Sequence, residues 1–255
     1  MVGVEKNSSK VLEYLIFNQV NSASAYNNVM QSRENARSIQ DHITKEVWQC
    51  LNNYYHFIRS QDLRKQVTSG DPIYAIDLLI TNGLLFIGTV DNTMTRGEGF
   101  TYLNIGKFLE RAIHSADTTR IKMSALNDSQ HEAAQAADLR YLLYSLFGFE
   151  VYLKTYKGNF TIKDVIELIL YNPDFPHSIL YSLERLYKYF ARLRPESLPE
   201  SYEQMEFLIG KTMNNIKYSN VNEGDILRIN EFLFQTRVDL FDIAAAFSKY
   251  YFGTT

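Results

Sequence analysis

In the stretch GEGFTYLNIGKFLERAIHSADTTRIK, residues 97–122, Gly97-Glu98-Gly99 closes one periodic pattern and a new helix opens, running from about Phe100 to Met123. Leu103, Gly106, Glu110, Ile113, Asp117 and Ile121 fall on one stripe of that helix, which is read as the inward one. Glu110 then stands beside Arg111 within a largely buried helix, where a charge needs a partner. Core-type positions occupied by carboxylates make ion pairing the question on which the fold turns.

The nearest upstream stretch of the same character is QSRENARSIQ, residues 31–40. No glycine or proline occurs from Ala25 to about Ser60, and Val29, Ala36, Ile43, Cys50 and Phe57 recur every seven residues. This pattern predicts one long amphipathic helix with Arg33 and Gln40 on its core-facing stripe. Arg33 and Arg37 share a face, so two guanidinium forks can converge on a carboxylate or phosphate. They can equally pair with Glu110, Glu13 or Glu167 as a structural ion network. Glu34 and Asn35 either contact a ligand or orient the arginines.

The remaining pattern is helical throughout. Val11 to Phe17 is a short apolar run around Glu13. Asp71-Pro72 is an N-cap followed by proline at the first helical position, with Ile76, Ile80, Gly83, Ile87, Val90 and Met94 on one face. Gly83 on that face is read as admitting a second backbone. A polar joint at 127–130 precedes a helix over 131–156, Thr161 caps Ile162 to Tyr171, and the turn Asn172-Pro173-Asp174-Phe175-Pro176 leads into Ser178 to Leu193. Helices over about 200–217 and 225–251 complete the chain, and no strand alternation is found. The expected fold is all-α, residues 1–255 forming a single irregular or orthogonal bundle of about eight helices.

VLEYLIFNQVNSAS at 11–24 is similar to VIELILYNPDFPHS at 165–178, an offset of 154 residues at which Val, Glu, Asn and Ser coincide. Two related halves follow, each with a glutamate, Glu13 or Glu167, in an apolar run suited to a buried cation.

Composition bounds the function. A length of 255 residues with 45% apolar content suffices for one large core. A net charge of −3 without a long basic run argues against nucleic acid. Cys50 is the only cysteine, which excludes an internal disulfide, and neither a leader nor an apolar run approaching the ~18 residues of a membrane span is apparent. A soluble cytoplasmic protein, with no membrane partner, is expected.

The blocks SRENARSIQDHITKEVWQCLN, GTVDNTMTRGEGF, LNIGKFLERA and DVIELILYNPDFPHSI, taken in order, resemble the bacterial alpha-E family, an all-helical domain with a glutamate-arginine motif. The resemblance places that motif at Glu110 and Arg111 and implies that the family's first helix pair has no counterpart here. It further implies neighbours of the ATP-grasp ligase and transglutaminase kinds, hence peptide synthesis or modification. Any ligase chemistry would belong to such a partner, since no Walker-type loop or catalytic triad spacing occurs in this chain. An apolar flank left uncovered leads to the expectation of a homo-oligomer with Val11 to Phe17 near the interface.

Further candidates come from the joint and the central helix. Arg96, Glu98 and the free amides of the 95–100 joint can receive an anion, or the glycines simply permit a tight turn. Glu110, His114 and Asp117 have a spacing permissive for metal, but no Glu-x-x-His pair supports them and no cofactor is assigned. His42, His56, His131 and His177 are read as solvated or capping, and Trp48, Tyr54 and Tyr55 as core aromatics. The two functional readings are a non-catalytic accessory protein and a binder or enzyme that grips a carboxylate or phosphate with a buried Arg/Glu cluster.

Overall fold

A computed structural model describes residues 8–126, 132–195, 197, 199–223 and 225–253. Among them the chain is all-helical, with twelve α-helices and no strand. It divides into two compact units, Met1–Phe100 and Thr101–Thr255.

The first unit contains α1 (Ser8–Phe17), α2 (Ala25–Ser38), α3 (Lys45–Ile58), α4 (Gln61–Ser69) and α5 (Pro72–Thr93). Helix α1 packs on α2 and α4, α2 lies against α3, and α5 closes on α3 and α4. Ile16, Phe17, Val29, Ile58, Leu63 and Ala75 form the centre of its core. Polar ties reinforce it: Thr44 and Thr93 join their hydroxyls at 2.8 Å, and the Tyr54 hydroxyl donates to the Leu79 carbonyl at 3.0 Å.

Helix α6 (Glu98–Leu126) leads into the second unit, followed by α7 (Glu132–Ser145), α8 (Phe149–Tyr156), α9 (Ile162–Tyr171), α10 (Ile179–Phe190), α11 (Glu200–Lys217) and α12 (Ile226–Tyr251). Its core is larger and aromatic. Phe190 stacks on Tyr202 at 4.6 Å and meets Phe247 edge-on. Tyr152 is wholly buried, stacks on Phe160 and donates its hydroxyl to the Asn159 carbonyl at 2.5 Å. Such a buried phenol needs that acceptor, because an unpaired hydroxyl in an apolar core is costly.

The count of twelve corrects the expected total of about eight: the nine segments marked in sequence gain three helices for local reasons. The presumed helix from Ala25 to Ser60 breaks at Ile39, turns through a 3-10 segment at Gln40–His42, and restarts because the Thr44 side chain accepts from the Val47 amide. The helix expected over 131–156 breaks at Phe147, which takes a left-handed backbone with φ 56°, and at Gly148, where a Cβ would meet Phe175 at 2.9 Å. Helix α4 buries only Leu63 and Val67, too sparse an apolar pattern to announce itself. The expected joint at 127–130 lies outside the described residues.

Polar caps open most of the helices, those the pattern showed and those it missed alike. Ser24, Thr44, Ser60, Asp71, Thr161, Ser178 and Asp225 each accept a hydrogen bond from the first turn of the helix they open.

The similarity between 11–24 and 165–178 is realised as the same construction in each unit. Asn18 accepts from the amides of Val20 and Asn21 at 2.8 and 3.0 Å, and Asn172 accepts from Asp174 and Phe175 at 2.9 Å each. Ser24 and Ser178 then donate their amides to Asn21 and Phe175, both at 2.9 Å, and cap α2 and α10. Both serines are fully buried. The coinciding Asn and Ser are thus the residues that build the turn. The glutamates follow a different course: Glu13 meets Arg64 at 2.8 Å in a half-exposed pair, while Glu167 hydrogen-bonds the Tyr156 hydroxyl, so neither has a buried cation.

Two glycines give opposite expectations. A Cβ on Gly99 would lie 2.9 Å from the His42 carbonyl, whereas one on Gly83 would meet nothing within 4 Å, so among the described residues no second backbone approaches Gly83 as the sequence suggested. Gly99→Ala should destabilise the chain by roughly 1–3 kcal/mol through overpacking, and Gly83→Ala should stabilise it by about 0.5–1 kcal/mol by removing helix-interior glycine. Urea unfolding of the two variants distinguishes these signs, and a harmless Gly99→Ala would contradict the close approach.

Candidate functional site

Arg33, Glu34 and Arg37 do come together on α2. The Arg33 Nε donates to Asn52 Oδ1 of α3 at 2.8 Å and its NH1 donates to Glu34 Oε1 at 2.7 Å. The guanidinium also lies over Tyr55 at 4.6 Å and Trp48 at 5.4 Å. Trp48 and Tyr55, read from sequence as core, are therefore a half-buried cradle for this cation. Arg59 covers the same Tyr55 ring and donates to its hydroxyl at 2.6 Å. With two hydrogen bonds and two aromatic faces, Arg33 is closed on protein groups. Arg37 points outward at 67% exposure, 3.8 Å from the other oxygen of Glu34, so the two forks do not converge on an open site. Asn35 is exposed and accepts from Gln31.

The 95–100 joint is likewise structural. Arg96 turns back to donate to the Asp91 carbonyl at the end of α5, at 2.6 Å, and lies 4.1 Å over Phe100. Gly99 admits the His42 carbonyl at the first turn of α6, and Glu98 is an exposed acidic group in that turn.

Helix α6 corrects the expected phase. Its buried stripe is Thr101, Asn104, Ile105, Phe108, Leu109, Ala112, Ser115, Ala116, Thr119 and Met123, about one residue away from the stripe read in sequence. Gly106, Glu110 and Ile121 are exposed, the last at 63%. Glu110 therefore belongs to the surface, and the buried Arg/Glu cluster anticipated there does not include its carboxylate. Small side chains explain the error, because Ala112, Ser115, Ala116 and Thr119 carry little apolar signal yet allow close packing.

Arg111 is the half-buried member of the pair. Its guanidinium lies 5.2 Å over Phe108 and donates to the Pro176 carbonyl at 3.3 Å. One turn on, the Ser115 hydroxyl donates to the His177 carbonyl at 2.8 Å. The two sequence blocks FLERA and NPDFPHS, distant in the chain, thus meet: α6 clasps the turn that opens α10. Burial presses the Arg111 guanidinium below its ordinary range, with Tyr181 opposing the shift. A second Leu-Glu-Arg triplet, 183–185 on α10, was not singled out from sequence; Glu184 and Arg185 are exposed and Arg185 lies over Tyr181.

The metal candidates separate. Glu110 and His114 are exposed, while Asp117 is bound to Arg237 of α12 at 2.7 Å. No group of three His, Cys, Asp or Glu side chains able to hold a metal occurs among the described residues. His131 lies outside them. His177, read as solvated or capping, is instead half-buried between Phe147 and Phe175, with Nδ1 enclosed and unpartnered. Only its place in the clasped turn signals this, which the sequence does not display.

The profile of a family described as a predicted alpha-helical domain with a conserved ER motif, Alpha-E, matches residues 3–252. An uncharacterized protein of Mycobacterium bovis and one of Mycobacterium tuberculosis are each 27% identical over 154 residues, 59% of this chain. That match covers 17% of the length of those relatives, so the chain spans only a small part of them. No solved structure matches.

His177 gives the cluster a pH dependence. Burial first, then Arg111 and His114, lower its pKa from 6.5 to about 4. The unfolded chain therefore binds a proton between about pH 6.5 and 4 that the folded chain refuses, and stability falls as pH drops through that window. His177→Gln should flatten the decline in Tm from pH 7 to pH 4. An identical decline in both proteins would contradict the assignment.

Proposed function

The chain belongs to the Alpha-E family, and from that premise we propose that it is a non-catalytic accessory protein that docks onto a cytoplasmic ATP-grasp-type peptide ligase, with a transglutaminase-like protein as a further partner. The observation that carries this reading is an inversion of groups. The candidate ionic cluster at Arg33 is closed on Asn52, Glu34 and two rings, whereas large apolar side chains such as Leu15, Leu84 and Leu85 are more than half exposed. Satisfied polar groups inside and apolar groups outside suit docking better than catalysis. The small share of the mycobacterial relatives covered by the match supports it as well, since there the helical region is joined to a much larger remainder.

The opposing reading, a binder or enzyme gripping a carboxylate or phosphate with Arg33, Arg37, Glu110 and Arg111, has less support. It requires open guanidiniums, and Arg33 is engaged on every side described above.

Self-association is a second reading with an observation of its own. Val11, Tyr14 and Leu15 of α1 are 37%, 42% and 51% exposed, while their counterparts in the repeat, Val165, Leu168 and Ile169, are wholly buried. The same helix is covered in one unit and open in the other. Ile16 and Phe17, in contrast, belong to the core of the first unit and are not available to a partner.

Co-expression with an ATP-grasp ligase encoded beside it should yield a complex that survives size exclusion, and two folded proteins that elute separately would contradict the accessory reading. Light scattering in the same buffers tests self-association: Leu15→Glu should convert a dimer to a monomer, and a monomeric wild-type chain would refute it.

A further inference from the structure

Helix α5 carries an apolar line that no described element of its own unit covers. Ile73, Ile80, Leu84 and Ile87 are 72%, 43%, 64% and 38% exposed, with Tyr74 and Leu85 open on one shoulder. The line continues through Asp77 and Asp91, so that steps of four and three alternate along 73, 77, 80, 84, 87 and 91. That alternation is the seam of a left-handed helix pair, in which Ile80, Leu84 and Ile87 lie between the carboxylates of Asp77 and Asp91. Asp77 and Asp91 are exposed, make no ion pair among the described residues, and are the only charged residues between Pro72 and Thr93. At 1.5 Å per residue they stand about 21 Å apart.

We propose that this face docks a helix of another protein whose apolar seam is flanked by two cationic side chains, lysine or arginine, about 21 Å apart. Charge selects this occupant over two others. Pairing with a second copy in parallel register sets Asp77 against Asp77 and Asp91 against Asp91; pairing antiparallel about Leu84 sets Asp77 against Asp91. Either arrangement buries like charges together, which disfavours self-pairing. The helix is also long and apolar enough to cross a membrane by length and composition, which corrects the expectation that no apolar run approaches that length. A spanning helix would hold both carboxylates in or near hydrocarbon, and a helix lying on an anionic surface needs the basic residues that this one lacks. The assignment rests on the accessory reading above and gives it a surface and a partner chemistry.

The test uses the full chain and two synthetic helical peptides of four heptads. Both have Leu and Ile on the seam, one with lysines and the other with glutamates at the two seam positions fourteen residues apart. By fluorescence anisotropy the lysine peptide should bind at least about tenfold more tightly than the glutamate peptide. Asp77→Lys with Asp91→Lys should reverse that preference, and Leu84→Glu should abolish binding of both. Equal affinity for the two peptides, or binding indifferent to Leu84→Glu, overturns the proposal. So does any of three other results for Leu84→Glu: loss of a dimer in sedimentation, loss of flotation with phosphatidylcholine–phosphatidylglycerol vesicles, or a Tm lowered by several degrees, which would mean that the chain covers this face itself. If the ligase co-purifies undiminished with Leu84→Glu, the accessory reading stands and this surface falls. If the peptides discriminate as expected but no ligase co-purifies, the surface stands and the ligase falls.

Discussion

The second unit depends on a clasp between α6 and the turn at 172–178. Arg111 reaches the Pro176 carbonyl and Ser115 the His177 carbonyl, so two side chains one helical turn apart hold two successive backbone acceptors. Those carbonyls belong to a turn that makes few regular hydrogen bonds of its own; the Ser115 bond is part-buried, where an unmet acceptor is costly, and the Arg111 bond, at the exposed Pro176, is a weaker tie. Once they are met, Asn172 and Ser178 can fold the turn tightly, Ser178 can cap α10, and Phe175 can enter the core at 1% exposure. Arg111 thus has a structural task in this chain: it converts a helix face into a bracket for a proline-bearing turn.

The first unit builds the same turn with different support. Asn18 and Ser24 repeat the roles of Asn172 and Ser178, but nearby acceptors are met locally, with Asn27 donating to the Gln19 and Asn21 carbonyls at 2.8 Å each and Asn28 to the Ala23 carbonyl. The helix entering the turn is correspondingly less covered, with α1 open along Val11, Tyr14 and Leu15 where α9 is wholly buried. A repeated motif can therefore carry different burdens. In one unit it is locked beneath a helix, and in the other it remains near the surface with apolar groups in view.

Much of this was legible in sequence, and the failures have physical causes. Caps survived translation into structure: Asp71-Pro72, Thr161 and Ser178 open the helices they announced. The turn repeat was legible because Asn and Ser act through their own side chains on amides two or three residues away. Tertiary phase was not. The inward face of α6 is lined by Ala112, Ser115, Ala116 and Thr119, while Ile121 and Gly106 look outward, so apolar periodicity pointed about one residue astray. The break at Ile39 has neither glycine nor proline and rests on the Thr44 cap. The Arg33 cluster was correctly seen as needing partners, but those proved to be Asn52, Trp48 and Tyr55 from α3, which pattern alone cannot pair with α2.

If Arg111 is a bracket rather than an open binding group, the Arg111→Met substitution in the full chain loosens the turn, which hydrogen exchange reads amide by amide. Faster exchange is expected at the amides of Asp174, Phe175 and Ser178, with a loss of about 0.5–1.5 kcal/mol in unfolding free energy, the range for one hydrogen bond whose acceptor, at the exposed Pro176, water can reach. Unchanged exchange through the turn and unchanged stability in Arg111→Met would contradict it.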